Sequence, residues 1–414
     1  MNRQFRLFWL GQAASNLGDA FAFVSMPLLV LGATHSVVQM GRVTAFTAAG
    51  QLVAATFSGY VIDRVHRRRA MILCDLARML LFAALPLTIA FGGFNIPLLY
   101  FVAGLAGMAS NLFLIGYTAA VKNLVEPHEV ASANARLQAS MALLYVVGSA
   151  LAGAVCNRLG AGWALGVDSL SFAFSALSLA TITLRHDRAE REDRGAGIFS
   201  DLRSGFAFLA RHRVLRPLTI FQTAVGLLAS IGLGAAVIDL IIYRLRSDFG
   251  ADGTTVGVSL GFASLGAVFG AVAAARTQRR FGLGAIVVAG TGVQALGLLA
   301  TGLAHGVLGV TVGGMLWAGG LTFRSVAASS LRQTLTPDAL LGRVVAAGWA
   351  IVFGAEAVGA ILVTRLAASI GAASAATCVG VGLAVVAVAG GLSPLATESS
   401  SSANGKASAS NRSG

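Results

Sequence analysis

Charge is what this sequence has least of. Asp, Glu, Lys and Arg make up 11% of its 414 residues, where a soluble domain carries about 25%. With 56% hydrophobic residues and a mean hydropathy of +0.78, a soluble globule would be short of polar surface. Cysteine is almost as scarce: Cys74, Cys156 and Cys378 lie in apolar runs at unrelated spacings. That excludes a disulfide framework and a cysteine-based metal site. Proline numbers only 7 beside 51 glycines without a period of three, which excludes a collagen-like chain. No Gly-x-x-x-x-Gly-Lys-Ser/Thr loop is present, which argues against an ATP-driven pump. His-Glu-x-x-His is missing as well, and the Gly-x-Ser-x-Gly match at Gly257-Val258-Ser259-Leu260-Gly261 lies inside a long apolar run, not at the strand-to-helix elbow that such a nucleophile needs. The expectation is a protein that is not an enzyme and uses no cofactor and no metal.

What is present is apolar length. A membrane-spanning helix needs about 20 mostly apolar residues, and twelve such stretches follow one another. They lie near 8–33, 39–62, 70–92, 96–120, 133–156, 161–184, 217–243, 254–275, 284–304, 306–331, 344–368 and 370–393. The joins after the ninth and the eleventh are very short. Met1 to Arg6 is short and basic, and the run behind it is long enough to span, so a spanning helix is expected there rather than a cleaved leader. The abundant glycine and alanine suit helices that approach one another closely in lipid.

The net charge of +13 would suggest nucleic acid in a soluble chain, but here the basic residues punctuate apolar runs, so no nucleic-acid partner is expected. With the N-terminus inside, 23 Lys and Arg fall in inner segments, 3 in outer loops (Arg158, Arg244, Arg246) and 4 within spans (Arg42, Arg78, Arg324, Arg365). The positive-inside bias therefore places both termini in the cytoplasm. The longest polar stretch follows the sixth span and divides the chain six plus six. The expected organisation is a six-helix bundle over 1–184, a cytoplasmic loop over 185–216, a second bundle over 217–393 and a disordered tail over 394–414. Within the loop, Ile198, Leu202, Phe206 and Leu209 share a helical face, which predicts an amphipathic helix lying on the inner membrane surface.

The shortest basic stretch is the most telling. Gly59-Tyr60-Val61-Ile62-Asp63-Arg64-Val65-His66-Arg67-Arg68-Arg69 separates the second and third spans. A degenerate copy, Gly270 with Arg276, Arg279 and Arg280, follows the eighth span, and Ala274 stands there in place of the acid. The pattern Gly59-x-x-x-Asp63-Arg64-x-x-Arg67-Arg68 resembles the signature loop of the major facilitator superfamily, with His66 where that family usually has Gly. Further stretches resemble its macrolide-efflux-type drug:proton antiporters: Phe5 to Gln12 with Leu17-Gly18-Asp19, Asp75 with Arg78, Val125-Glu126-Pro127 running to Ala133-Asn134, and Gln333 to Pro337 with Gly342-Arg343-Val344. The resemblance implies an all-α membrane protein of twelve transmembrane helices in two pseudo-symmetric bundles. It also implies alternating access and a proton-coupled exporter of small amphiphilic molecules in a bacterial inner membrane, acting as a monomer. One departure is Ser149 in Gly148 to Gly153, where antiporters often carry Gly-Pro. A siderophore or metabolite exporter, or a symporter, on the same fold stays open for that reason. A non-transporting receptor is the reading from another class.

The resemblance makes Gly59, Asp63, Arg64 and Arg67 a candidate conformational latch; the plainer reading of the arginines is topogenic. Asp19 falls near the middle of the first span, and Glu356 holds the matching depth in the eleventh. A lone carboxylate at such depth is costly and marks a functional candidate for carrying a proton or meeting a cationic group. Its alternative is a structural hydrogen bond to another helix. Gln12, Asn16 and Asp19 recur at helical spacing and can line one cavity-facing stripe. Arg324, midway down the tenth span, has three readings: a pair with Glu356, a pair with Asp19, or a site for an anionic group. Asp75 and Arg78 share a face and can pair, for structure or for coupling. Asp168 is a further candidate, and Gln222 and Gln294 are candidates for substrate contact or interhelical glue. Gly257-x-x-x-Gly261 and Gly266-x-x-x-Gly270 suit tight helix packing. The partners implied are the lipid bilayer, protons and a small-molecule substrate.

Overall fold

In hydrocarbon every backbone amide and carbonyl must find its partner within its own segment, so an apolar run of this length has the helix as its open solution. The computed structural model describes residues 2–64, 66–183, 198–229, 236–278 and 280–397, without the side chains of 58–64, 119, 122, 127, 131, 198–201, 338, 339, 396 and 397. Among the described residues every regular element is helical. In chain order these are α1 (Arg3–Thr34), α2 (Val37–Arg64), α3 (Arg67–Ala90), α4 (Ile96–Leu124), α5 (Val130–Leu159), α6 (Ala161–Thr181) and α7 (Ile198–Arg211). Then come α8 (Leu215–Ala229), α9 (Ala236–Tyr243), α10 (Gly253–Thr277), α11 (Leu283–Leu303), α12 (Val307–Leu335), α13 (Asp338–Ile370), α14 (Ala372–Gly391) and the short α15 (Pro394–Thr397).

Ten of these are long and apolar enough to cross a bilayer: α1, α3 to α6 and α10 to α14. The 28 residues of α2 and the consecutive α8 and α9 bring the crossings to the twelve expected. The seventh crossing is described in two pieces, with a π-helical turn, Arg244–Asp248, continuing α9. Helix ends overrun the apolar spans. The 33 residues of α13 begin at Asp338 rather than near 344. At 1.5 Å per residue that helix is about 50 Å long, against a hydrocarbon core of about 30 Å, so hydropathy registers only its middle. The side chains that face lipid are equally plain. Leu73, Leu80 and Leu87 recur every seven residues on α3 and are 61%, 64% and 54% exposed, while Cys74, Asp75, Arg78 and Leu85 turn inward.

The two bundles repeat one plan. In the first, α2 packs on α4 and α3 on α6; six crossings later, α10 packs on α12 and α11 on α14. The tight turns repeat too. Leu159-Gly160-Ala161 joins α5 to α6 with Gly160 at φ 95°, ψ 156°, and Ile370-Gly371-Ala372 joins α13 to α14 with Gly371 at φ 87°, ψ 151°. That backbone region is essentially closed to residues with a Cβ, and it explains how the very short eleventh-to-twelfth join is made.

The bundles meet chiefly through α5 on α10 and α2 on α13. We call the end of the molecule that holds Arg3 the near end and the one that holds Thr34 the far end. Between α5 and α10 contact is backbone on backbone. A methyl added at Gly153 would sit 2.4 Å from the Gly253 carbonyl oxygen, and one at Gly257 would sit 2.3 Å from that of Ser149. Asn157 adds a 3.1 Å hydrogen bond to Asp252. All these residues belong to the far half of the two helices. Toward the near end α5 leaves Asn134, Ala135, Arg136, Gln138 and Ala139 exposed. The far end is therefore shut and the near end splayed.

α7 docks on α13, where Gly205 abuts the Arg343 backbone carbonyl. The missing side chain at Gly205 sets the docking face, so Leu209 is buried and Phe206 is left 38% exposed. Arg244, counted above as an outer-loop charge, is only 4% exposed. Its guanidinium donates to the carbonyls of Thr301, Gly302 and Ala304 and to Asp248, so it caps the last turn of α11.

Replacing Gly160 or Gly371 by Ala is expected to cost about 1–3 kcal/mol each. Thermal unfolding of the purified protein should show a lower midpoint for each variant and a lower one still for the pair. Unaltered midpoints would contradict the strained-turn reading.

Candidate functional site

The first bundle gathers its buried polar side chains in one place. Asp75 and Arg78 stand one turn apart on α3 and are 0% and 4% exposed. They form the ion pair that their spacing allows, Arg78 Nη2 donating to Asp75 Oδ1. The guanidinium lies between two aromatic faces, 4.6 Å from the ring centre of Phe113 on α4 and 4.2 Å from that of Phe172 on α6. Such stacking offsets part of the cost of removing the cation from water. On α6, the buried Ser175 accepts a 3.3 Å hydrogen bond from Gln12 Nε2 of α1. One turn up α1, Asn16 is partly exposed, and one further turn up is the partly exposed Asp19.

Asp168 completes the cluster. It is 0% exposed on α6 and lies against Gly18, the residue before Asp19. Ser171 donates to its backbone carbonyl at 2.7 Å and reaches its Oδ1 at 3.5 Å, while Oδ2 has no partner. Asp19, Asp168 and Arg78 act on one another electrostatically, and all three act on the Tyr145 hydroxyl of α5. Gln12, Asp19, Asp75, Arg78 and Asp168 are thus one constellation built by α1, α3 and α6. Three carboxylates around one guanidinium leave an excess of acid, which a proton or a cationic group can balance. Tyr145, Phe113 and Phe172 carried no signal in the sequence, because an aromatic in an apolar helix looks the same whether it packs on lipid or on a cation.

The second bundle holds its ionisable groups separately. Arg324 on α12 is 0% exposed and donates from Nε to Gln294 Oε1 of α11 at 2.9 Å. Neither terminal amine of Arg324 has an acceptor, and neither does the Gln294 amide nitrogen. Its partner is therefore Gln294, rather than Glu356 or Asp19. Two turns nearer the basic end, Arg332 donates to Gln222 of α8 at 2.6 Å. Glu356 is 2% exposed on α13.

One buried acid was overlooked. Asp239 interrupts the run Val237-Ile238-Asp239-Leu240-Ile241-Ile242 and is 3% exposed. A lone carboxylate deep in an apolar run is the same signal that singles out Asp19.

Of the expected latch, the side chains of Gly59, Asp63 and Arg64 lie outside the described residues. Arg67 has a buried Nε without a partner. Its neighbour Arg68 donates to the carbonyls of Ile182 at 2.8 Å and Ala180 at 3.2 Å, tying the start of α3 to the end of α6. Outside the membrane-spanning stretches, the α10 cap is a local charge site: the Thr255 side chain and backbone amide hold the Asp252 carboxyl below its ordinary range.

Comparison with known proteins agrees with this architecture. The multidrug efflux pump Tap of Mycobacterium tuberculosis is 27% identical over 217 residues, which are 50% of this chain and 51% of the pump. The chain thus matches about half the length of that relative. The enterobactin exporter EntS of Escherichia coli is 23% identical over 384 residues, 92% of this chain and 89% of the exporter. Among solved structures, the nucleoside transporter NupG superposes with a TM-score of 0.75 at 11% identity, covering 96% of this chain and 100% of that one. A family model described as Major Facilitator Superfamily matches residues 8–360, and on that match the chain belongs to the Major Facilitator Superfamily.

Proposed function

We propose that this secondary transporter is a proton-coupled exporter of small amphiphilic molecules, a drug, an antibiotic or an endogenous metabolite. The observation that carries this reading is the acid-rich cluster of Asp19, Asp75 and Asp168 around Arg78. A site with surplus carboxylate can hold either a proton or a cationic group of the substrate, and competition between the two is the essence of antiport. Asp19 is the member that is partly exposed, which suits a group that must exchange with water. Gln12 and Asn16 extend the same face of α1, and Glu356 is the corresponding carrier in the second bundle. The multidrug pump among the relatives supports the substrate class.

The basic near end is the cytoplasmic one, with both termini inside a bacterial inner membrane. The splayed end then opens to the cytoplasm and the chain stands inward-facing. The chain acts as a monomer, with 1–184 and 217–393 rocking about the loop 185–216. Gly59, Asp63, Arg64 and Arg67 latch the cytoplasmic side in the opposite state.

A second reading of the substrate rests on Arg324. A buried guanidinium with two idle amines, beside an idle Gln294 amide, is a ready partner for a carboxylate, catecholate or phosphate on the cargo. The enterobactin exporter, matched over 89% of its own length, supports a metabolite cargo beside a drug.

Three outcomes are expected. Cysteine introduced at the exposed His35 should react with a membrane-impermeant maleimide in intact cells, and cysteine at Arg69 should not; the reverse pattern would invert the topology. In proteoliposomes an imposed pH gradient should drive ethidium flux, and Asp19→Asn should reduce the driven component about 5- to 150-fold, the usual range of a coupling free energy. Flux indifferent to the gradient would dispose of antiport. Arg324→Gln should depress transport of the anionic dye carboxyfluorescein more than that of ethidium; equal losses would assign Arg324 to structure.

A further inference from the structure

One buried carboxylate stands apart from the cluster. Asp239 Oδ2 accepts a 2.7 Å hydrogen bond from the Thr44 hydroxyl, and the two residues are 3% and 8% exposed. The bond runs from α9 in the second bundle to α2 in the first, so it crosses the seam along which the bundles must part. Thr44 is seven residues from the far end of α2, about two helical turns in, on the side that is shut. A pocket of about 100 Å³ lies beside the pair, walled by apolar side chains of α1 and α2 such as Phe23, Met26 and Met40, with Thr44, Thr47 and Asp239 as its polar groups.

Among the described residues no charge faces this acid. α1 carries Asp19 and α2 carries Arg42, but the pocket lining from these helices holds no ionisable side chain. The other elements packed on α9 carry Glu356 and Arg365 (α13), Arg324 and Arg332 (α12) and Cys378 (α14), and α9 runs on through Tyr243 into Arg244. None of them lines the pocket beside Asp239, whose Oδ2 is held by the Thr44 hydroxyl. Arg244 is already occupied by three carbonyls and Asp248.

An ionised carboxylate in such a seam would have one hydrogen-bond donor and no counter-charge, which is costly in an apolar interior. A neutral carboxyl with the same hydroxyl partner is tolerated. We propose that Asp239 is a proton-binding site of the far-side gate, which must be loaded for the bundles to close over it and is emptied into far-side water when they part. The step is a simple protonation: the carboxylate takes one proton from far-side water on closing and gives it back to the same side on opening. This proton sets when the gate shuts. It differs in that respect from any proton carried across by Asp19 or Glu356. The inference rests on the alternating-access reading above.

The test reads the gate and not the flux. In the full chain, with Cys74, Cys156 and Cys378 replaced by Ser, spin labels at Ala33 and Ser369, both exposed at the far end, report the separation of the bundles in nanodiscs. Raising the pH from about 4 to about 9, a window that runs from the ordinary carboxylate value of about 3.9 to the top of the range documented for buried carboxyls, should shift the wild-type distribution toward the long distance. Asp239→Asn should hold the short distance throughout, and Asp239→Glu should keep a pH-dependent profile. Thr44→Val, which removes the partner that the closed state needs, should enlarge the long-distance population at every pH. An Asp239→Asn profile that tracks the wild type overturns the proposal while leaving alternating access intact. Should Asp239→Asn not fold, a Thr44→Val distribution identical to the wild type overturns it as well. A long distance seen in no variant at any pH overturns the gate and the alternating-access reading together.

Discussion

A guanidinium surrounded by hydrocarbon keeps its full charge and loses its water, and the placement of the arginines follows from that penalty. Arg78 is settled by a carboxylate and two aromatic faces. Arg244 is settled by the last carbonyls of α11, and Arg68 by the carbonyls at and just beyond the end of α6. Arg332 has at least the side-chain oxygen of Gln222. In each case the cation also fastens one helix to another, so the answer to a solvation problem becomes a tertiary contact. Arg324 is answered least: Gln294 takes Nε and both terminal amines are left over, whereas Arg67 and Arg78 each leave a buried Nε. Groups that the fold satisfies belong to architecture. Those it leaves wanting are where a transported molecule or a proton can enter the account.

The two bundles share a backbone plan but not a chemistry. Helix pairings and the glycine turns at Gly160 and Gly371 recur after six crossings, because they answer the same packing problem twice. The polar interiors do not recur. One bundle concentrates three acids on a single arginine, and the other spreads Asp239, Arg324, Arg332 and Glu356 over three helices. A duplicated scaffold tolerates this divergence because each polar set is satisfied, or left unsatisfied, within its own bundle. The Thr44–Asp239 contact is a departure from that separation, and it lies on the seam.

Much of this was legible beforehand. Apolar runs of spanning length marked twelve crossings, since the cost of exposed backbone in lipid leaves little choice of structure. Depth marked Asp19, and the three-residue spacing marked the Asp75–Arg78 pair. What could not be read was which helices face each other. Asp168 stood out weakly, yet it lies beside Asp19 because α6 packs on α1. Arg324 was expected to reach a carboxylate, but Gln294 of the neighbouring α11 was nearer. The face of α7 was assigned from its largest apolar residues, whereas a glycine decided its docking. Asp239 was a different failure. Its signal was present, a lone acid in an apolar run, the same that marked Asp19 and Glu356.

The seam between α5 and α10 has a mechanical consequence. Gly153, Gly253 and Gly257 bring main chain against main chain, with Asn157 and its bond to Asp252 at the edge of the contact. Two surfaces joined this way can separate without any rotamer having to change, and the newly wetted area is small and partly polar. Resistance to opening at that point is therefore brittle and short-ranged: lost within about the first ångström of travel and restored as abruptly on return. A seam of interdigitated leucines would stretch and drag instead. The glycine rails favour a transporter that snaps between two resting positions over one that lingers between them.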